Sequence, residues 1–352
     1  MDKKLNYLTT IIKTLPKCCR EFLTETGTEL ATSTRLAYAR ELDTFFHYLV
    51  YKCEKFYGIG LQDFSINNLR VVTPQDISRY LTYYKDMQLK ERTIARKRAT
   101  LSRFFNYMTN NQKLSYNPVL AAVKVKIHKT DRLIYLNNDE QSQFLDGVIT
   151  GDGMSNRMLS LHGKYIYRDL SIMLLFLDTG IRVSELSGIN IGDFDFKKNS
   201  VVVLRKGGNY QTVYFSDDTK EILQYYHESR MVKFRSSSSK DAFFISQKGI
   251  RLSIRAIQLL VKKYAICNLP GKGKSITPHK LRSSFAMTFY GETSDLLALK
   301  TKLNHASFSV LDVYTKATDK QMYEYRNVTS EARNDKANNY LIDIPHSPAV
   351  EE

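Results

Sequence analysis

The sequence predicts a mainly α, two-domain protein with one small antiparallel β element, an α+β arrangement whose strands are confined to the second half. Three observations predict it. Apolar residues recur at intervals of three and four from residue 6 to about 125, the spacing of one helix face. A basic run without helical or strand periodicity, K-V-K-I-H-K-T-D-R at 124–132, then separates two differently patterned halves. Beyond it, two β-branched and aromatic runs flank K-G-G-N, the pattern of a hairpin set among helices.

In the first half, Thr32, Ser33 and Thr34 offer caps for a helix whose apolar face runs through Leu36, Tyr38, Leu42, Phe45, Phe46 and Leu49. Thr73-Pro74 starts another, with Ile77, Tyr80, Leu81 and Tyr84 on its apolar side, since proline is tolerated in a first turn. A further helix runs from about Glu91 to Tyr107 and ends before Asn117-Pro118. It concentrates Lys90, Arg92, Arg96, Lys97, Arg98 and Arg103, while Leu101, Phe104 and Phe105 supply its buried side. We expect Arg92, Arg96, Lys97 and Arg103 to lie along a polyanion. An ordinary solvated face is the plainer alternative, but Glu91 is the only compensating acid nearby in sequence.

The second half reads as helices over 138–149, 165–179 and 183–187, strands over 200–204 and 211–215, and further helices near 218–234, 252–266, 278–290, 294–302 and 307–314. Ser236 to Ser239 reads as a loop and the last dozen residues as a tail. Lys124, Lys126 and Lys129 fall in the basic connection, where a flexible chain would follow a phosphate backbone.

With 352 residues, 43% of them apolar, the chain is long enough for two ordinary cores. Lys and Arg outnumber Asp and Glu by 52 to 36, a net +16 that favours a polyanionic partner. No stretch approaches the roughly 18 apolar residues of a spanning helix and no apolar signal core follows M-D-K-K-L-N-Y. A cytoplasmic, nucleoid-associated protein that binds nucleic acid and no membrane is expected. Cys18, Cys19, Cys53 and Cys267 form no C-x-x-C pair and have no His at zinc-ligand spacing. Free thiols are expected, with Cys18 and Cys19 as small buried residues of the first helix.

Residue types suited to a phosphodiester occur in one ordered series. They are Arg182 in T-G-I-R-V-S-E-L, Lys206 in L-R-K-G-G, His279 and Arg282 in H-K-L-R, His305 in L-N-H, and Tyr314 in V-L-D-V-Y-T-K. A phosphodiester is shielded by its charge, so attack needs its non-bridging oxygens neutralised, and a guanidinium does this with a planar, permanently charged fork. Imidazole titrates near neutrality and suits proton handling. A phenol, with an ordinary pKa of about 10, becomes a nucleophile only with activating neighbours. The chain shows neither a G-x-x-x-x-G-K-[ST] loop nor a carboxylate cluster for Mg²⁺, so neither metal nor other cofactor is expected. Any one of these residues alone is weak, since the chain has 23 tyrosines; the series decides.

The intervals are 24 residues from Arg182 to Lys206, three from His279 to Arg282, 23 from Arg282 to His305 and nine from His305 to Tyr314. This order and spacing resemble the tyrosine recombinase (phage integrase) family, in particular its Xer-like members, from roughly residue 20 to 330. The resemblance implies an N-terminal helical, SAM-like core-DNA-binding domain over 1–125, a basic linker over 126–135, a catalytic domain over 136–330 and a C-terminal tail over 331–352. It implies Tyr314 as nucleophile, Arg182, Arg282 and His305 on the phosphate, His279 handling the phenolic proton, Lys206 protonating the departing 5′-oxygen, and Glu185 as a supporting acid that orients the basic residues. The product would be a 3′-phosphotyrosyl link, resolved by strand exchange through a Holliday junction. Partners would be double-stranded DNA with paired recombination sites and four copies of the chain, with residues beyond Tyr314 docking on a neighbouring copy or, more simply, packing on their own.

Two departures stand out. Asn304 occupies a place where the family usually has Gly, and Arg205 precedes Lys206 where Gly is common, with Asn209, Tyr210 and Gln211 following in place of basic residues. Two other readings stand beside the recombinase one: a type IB topoisomerase-like enzyme with the same cleavage chemistry that religates its own strand, against which the helical first half and the short spacings argue, and a DNA-binding protein that retains the fold without activity.

Overall fold

A computed structural model describes residues 3–124, 126, 133–205, 208–233 and 241–303. The chain divides into two compact units, Met1–Thr130 and Asp131–Glu352. Among the described residues no helix is long and apolar enough to cross a membrane.

The described part of the first unit is all helical: α1 (Lys3–Thr14), α2 (Lys17–Glu25), α3 (Thr32–Lys52), α4 (Ile66–Arg70), α5 (Pro74–Asp86), α6 (Glu91–Asn110) and the single turn α7 (Pro118–Ala121). Its core is rich in aromatic rings set edge to face. Phe45 meets Tyr80 at 5.1 Å and Phe46 meets Phe104 at 5.9 Å between ring centroids, the arrangement that aromatic quadrupoles favour. Thr73 and Asp76 cap α5 reciprocally ahead of Pro74, as its sequence predicts. At α3 the expected caps differ: Thr32, Ser33 and Thr34 lie inside the first turn, and Ala31 holds the cap position without a side-chain bond. Cys18 and Cys19 are buried on the second helix, not the first, and all four thiols are free.

The second unit contains α8 (Asn138–Thr150), α9 (Asn156–Thr179), α10 (Val183–Gly188), β1 (Phe194–Asp195), β2 (Ser200–Leu204), β3 (Tyr210–Tyr214), α11 (Asp217–Lys233), α12 (Ile254–Asn268), α13 (Pro278–Thr293) and α14 (Leu296–Leu303). The buried helix α9 packs against α8, α11 and α13 and contributes Ile172, Met173, Leu175 and Phe176 to the core. It begins at Asn156, well before the expected 165, because His162 tucks inward: its Nε2 lies 2.8 Å from the Val148 carbonyl oxygen and its ring packs on Tyr264.

The strands form an antiparallel sheet in the order β1-β2-β3, with Val201 opposite Val213 and Val203 opposite Gln211. Val201, Val203 and Val213 face the core while Val202, Leu204, Tyr210 and Tyr214 face solvent, the alternation of a half-buried sheet. The expected hairpin is therefore two strands of three; β1, only two residues long, pairs with β2 at Val201 and Ser200.

Candidate active site

The site begins where α9 stops. Gly180 ends that helix at φ +59°, and a Cβ there would collide with Phe285 Cδ1 and lie 2.9 Å from Leu303 Cδ2. Both the left-handed backbone and the packing therefore require glycine. The turn sends Ile181 into the core and leaves Arg182, half-buried, at the N-cap of α10. Glu185, three residues on and buried, reaches back to it. The Arg182 backbone N–H donates to Glu185 Oε2 at 2.8 Å and Arg182 Nη1 donates to Oε1 at 2.8 Å, so one carboxylate fixes both the start of the helix and the direction of the guanidinium.

Arg205 meets the same carboxylate from the interior. It continues the inward positions Val201 and Val203 just past the end of β2, and it is 2% exposed. Its Nη1 donates to Glu185 Oε2 at 2.5 Å, its Nε to Gln211 Oε1 at 2.8 Å and its Nη2 to the Lys302 carbonyl at 3.0 Å. Gln211 in turn donates to the Thr301 carbonyl at 3.1 Å. Two carbonyls in the last turn of α14, those of Thr301 and Lys302, are thus bonded by side chains in or next to the sheet.

α13 supplies the other two described members of the series from its first turns. Arg282 is buried, and it donates through Nη1 to the Gly180 carbonyl and through Nη2 to the Leu303 carbonyl at 2.5 Å. It therefore ties the Gly180 turn to the end of α14. His279 lies one turn earlier, with its surface open to solvent. Crowding by neighbouring atoms lowers its pKa, and the positive charges of Lys280, Arg282 and Arg182 lower it further. Both effects favour the uncharged imidazole over the imidazolium. Among the described residues no group of three or more His, Cys, Asp or Glu is placed to hold a metal ion.

A second basic surface lies on the first unit. Arg92, Arg96 and Arg103 are exposed at positions that share one face of α6, four and then seven residues apart. Lys97 differs from the expectation. It lies in the apolar stripe formed by Ile94, Leu101, Phe104 and Met108, and its side chain is 7% exposed. Its Nζ donates to Glu41 Oε2 at 2.8 Å and sits 4.3 Å above the Tyr84 ring centroid. Lys97 is part of the core, and no longer a candidate for the polyanion-facing surface. Nor is Glu91 the only compensating acid: Glu41 also pairs with Arg96 at 2.7 Å, and Glu29 pairs with Arg103 at 3.2 Å. Arg98 donates to the Val119 carbonyl at 2.9 Å. Lys124 and Lys126 are exposed, and Lys129 lies outside the described residues.

The phage integrase family pattern matches residues 153–321, and the N-terminal SAM-like domain of phage integrases matches residues 21–112. A tyrosine recombinase XerC of Caldanaerobacter subterraneus subsp. tengcongensis is 31% identical over 324 residues, covering 88% of this chain and 85% of its own. The chain belongs to the phage integrase family of tyrosine recombinases. A tyrosine recombinase XerS of Streptococcus uberis is 27% identical, with 80% of this chain and 86% of the relative covered. Among solved structures, a XerH site-specific recombinase bound to its difH substrate has the same fold at a TM-score of 0.64 and 21% identity, covering 87% of this chain and 82% of that one. The Tn1549 transposon integrase in complex with circular intermediate DNA also matches at 0.64, with 18% identity and 87% and 98% coverage.

Of the residues that the sequence singles out in this recombinase, Arg182, Glu185, His279 and Arg282 converge around the Gly180 turn, whereas Lys206, His305 and Tyr314 lie outside the described residues. The site residues singled out from the sequence include neither Gln211 nor Arg205. Both stand among the departures from the family, yet together they anchor the Glu185 carboxylate and the end of α14. Strand alternation carries the signal for Arg205, because residues 201, 203 and 205 share one face.

Proposed function

We propose that this recombinase cleaves and rejoins DNA at specific sites through Tyr314. The phenolic oxygen attacks phosphorus, a 3′-phosphotyrosyl bond forms as the bond to the 5′-oxygen breaks, and the phenolic proton passes toward His279. Lys206 supplies the proton that the departing 5′-oxygen needs. Arg182, Arg282 and His305 neutralise the non-bridging oxygens as charge accumulates there. A 5′-hydroxyl from a partner duplex reverses these steps, so the bond energy stays in the covalent intermediate.

The observation that carries this reading is the meeting of Arg182 and Arg282 at the Gly180 turn, from segments about a hundred residues apart, with His279 one turn before Arg282 on the same helix. Glu185 behind Arg182 supports its assigned role as the acid that orients the basic residues. We assign residues 1–125 to core-DNA binding, with Arg92, Arg96, Arg103, Lys124 and Lys126 facing the backbone, 126–135 to the linker, 136–330 to catalysis and 331–352 to a tail. Four copies on two duplexes complete the reaction through a Holliday junction.

The test is covalent capture. The purified chain is incubated with pooled nicked duplexes, the mixture is denatured, and DNA that remains attached to protein is recovered and sequenced. We expect an adduct with a free 5′-hydroxyl on the released strand, and exchange between two copies of the recovered site. DNA binding without any adduct would identify a non-catalytic protein, and religation without exchange between sites would identify a topoisomerase-like enzyme.

A further inference from the structure

We infer that Arg205 is a positioning residue for cleavage: by balancing the Glu185 carboxylate from the buried side, it keeps Arg182 aimed outward with its positive charge available to the phosphate. The inference rests on the proposed recombinase reading.

Among the described residues Glu185 accepts three hydrogen bonds, two from Arg182 and one from Arg205. With Arg182 alone, the single negative charge would cancel the guanidinium that is needed at the phosphate. With Arg205 present, the three side chains carry a net +1, and the surplus lies on Arg182, because Arg205 has no exposed side-chain surface while Arg182 is 33% exposed. The geometry has the same consequence. Glu185 Oε2 lies between the Arg182 backbone N–H and Arg205 Nη1, at 2.8 and 2.5 Å, so Arg205 sets where that oxygen sits and hence where the first turn of α10 begins.

Arg205 is itself held from two further elements, Gln211 of β3 and the Lys302 carbonyl of α14. One guanidinium therefore registers α10, the sheet and the end of α14 against each other, using its planar fork; a lysine in its place has a single charged point and cannot span all three. In sequence, Arg205 immediately precedes Lys206, and Lys302 comes three residues before His305.

The experiment uses the full chain and Arg205→Lys and Arg205→Met, each in the native and Arg182→Lys backgrounds. Single-turnover adduct formation on a captured site, DNA affinity and amide exchange over 181–186 are measured for each. We expect Arg205→Met to slow adduct formation about 100-fold and Arg205→Lys about tenfold, the scale of a sub-ångström to ångström misplacement, with affinity within about twofold of native. In the Arg182→Lys background either change should add less than about threefold, because both act through one guanidinium. Exchange of the Arg182 amide should accelerate in Arg205→Lys, the variant that keeps the buried charge and the fold.

Equal losses in both backgrounds would reduce Arg205 to a structural residue and overturn the inference, as would native rates or unchanged exchange in the Lys variant. A native chain that forms no adduct would instead sink the recombinase reading, and the exchange measurement would still decide whether Arg205 governs the Arg182 turn.

Discussion

Lys97 and Glu41 form an ion pair in the core of the first unit, with Nζ and Oε2 2.8 Å apart and both side chains less than a tenth exposed. The pair changes which basic residues of α6 face outward. Removing Lys97 leaves Glu41 with Arg96 as its remaining partner, so the cost is that of a lost charged hydrogen bond in the core, about 1.5–3 kcal/mol. Lys97→Ala should therefore lower the thermal midpoint of the first unit sharply. Arg92→Ala and Arg103→Ala, on exposed positions, should leave stability within about 0.5 kcal/mol of native. They should also reduce the slope of log affinity against log salt by about 0.9 for each DNA phosphate that is no longer neutralised. A thermal melt and a salt titration of DNA binding check both. An unchanged slope in the arginine variants would make this face ordinary solvated surface.

Much of the architecture was legible because helices declare themselves over several turns. α5 carries Thr73, Pro74 and a repeating apolar side, and its boundaries follow. β1 had no such signal, since two residues show no periodicity and exist as a strand only because Val201 and Ser200 are there to pair with. Lys97 was misplaced by counting charge along the chain. Its position three residues after Ile94 and four before Leu101 already put it in the buried stripe, and its partner Glu41 is 56 residues away. Arg205 shows the same limit in the catalytic unit: a family pattern marks it as a departure, whereas the strand's alternation turns it inward to a carboxylate 20 residues earlier.

Arg182 and Arg282 should respond differently to loss of the fork. Arg182→Lys retains charge at a half-buried position, so DNA affinity should stay near native while single-turnover cleavage falls by at least about two orders of magnitude, the scale of a lost transition-state donor. Arg282 is buried and ties the carbonyls of Gly180 and Leu303. Arg282→Lys should lose cleavage and also about 1.5–3 kcal/mol of stability for each charged hydrogen bond that is not remade. Native cleavage in Arg182→Lys would remove that residue from the site, and an unshifted melt in Arg282→Lys would remove the tether.

His279 should set the acid side of the pH profile if it handles the phenolic proton. An ordinary imidazole protonates near pH 6.5, and crowding together with Lys280, Arg282 and Arg182 moves His279 below that. Cleavage that needs the neutral ring should hold its rate below pH 6.5 and fall as pH drops through the lowered value. By linkage, the unfolded chain takes up this proton at higher pH than the folded one, so any stability that His279 contributes is present above the unfolded value and is lost as pH falls below it. Lys280→Gln removes the largest of the three charge effects and should move the acid limb upward. A limb that stays where it was would assign the pH dependence to another group.

The nucleophile is the most decisive assignment, because the chain offers Tyr290, Tyr323 and Tyr325 close by in sequence. Tyr290 is half-buried on α13 and packs with the cluster of Phe285, Ala286, Leu299 and Leu303, which gives it a structural occupation. Only Tyr314 follows His305 by nine residues. Tyr314→Phe removes one oxygen and keeps the ring, so folding and DNA binding should persist while the covalent adduct on a nicked duplex disappears. Each of the four Tyr→Phe variants is incubated with the captured site and resolved under denaturing conditions, with and without chelator. We expect only Tyr314→Phe to lose the band, and the native band to survive chelation. An adduct that persists in Tyr314→Phe and vanishes in Tyr323→Phe or Tyr325→Phe would move the nucleophile, and with it the geometry required of Arg182, Arg282 and His279 around the scissile phosphate.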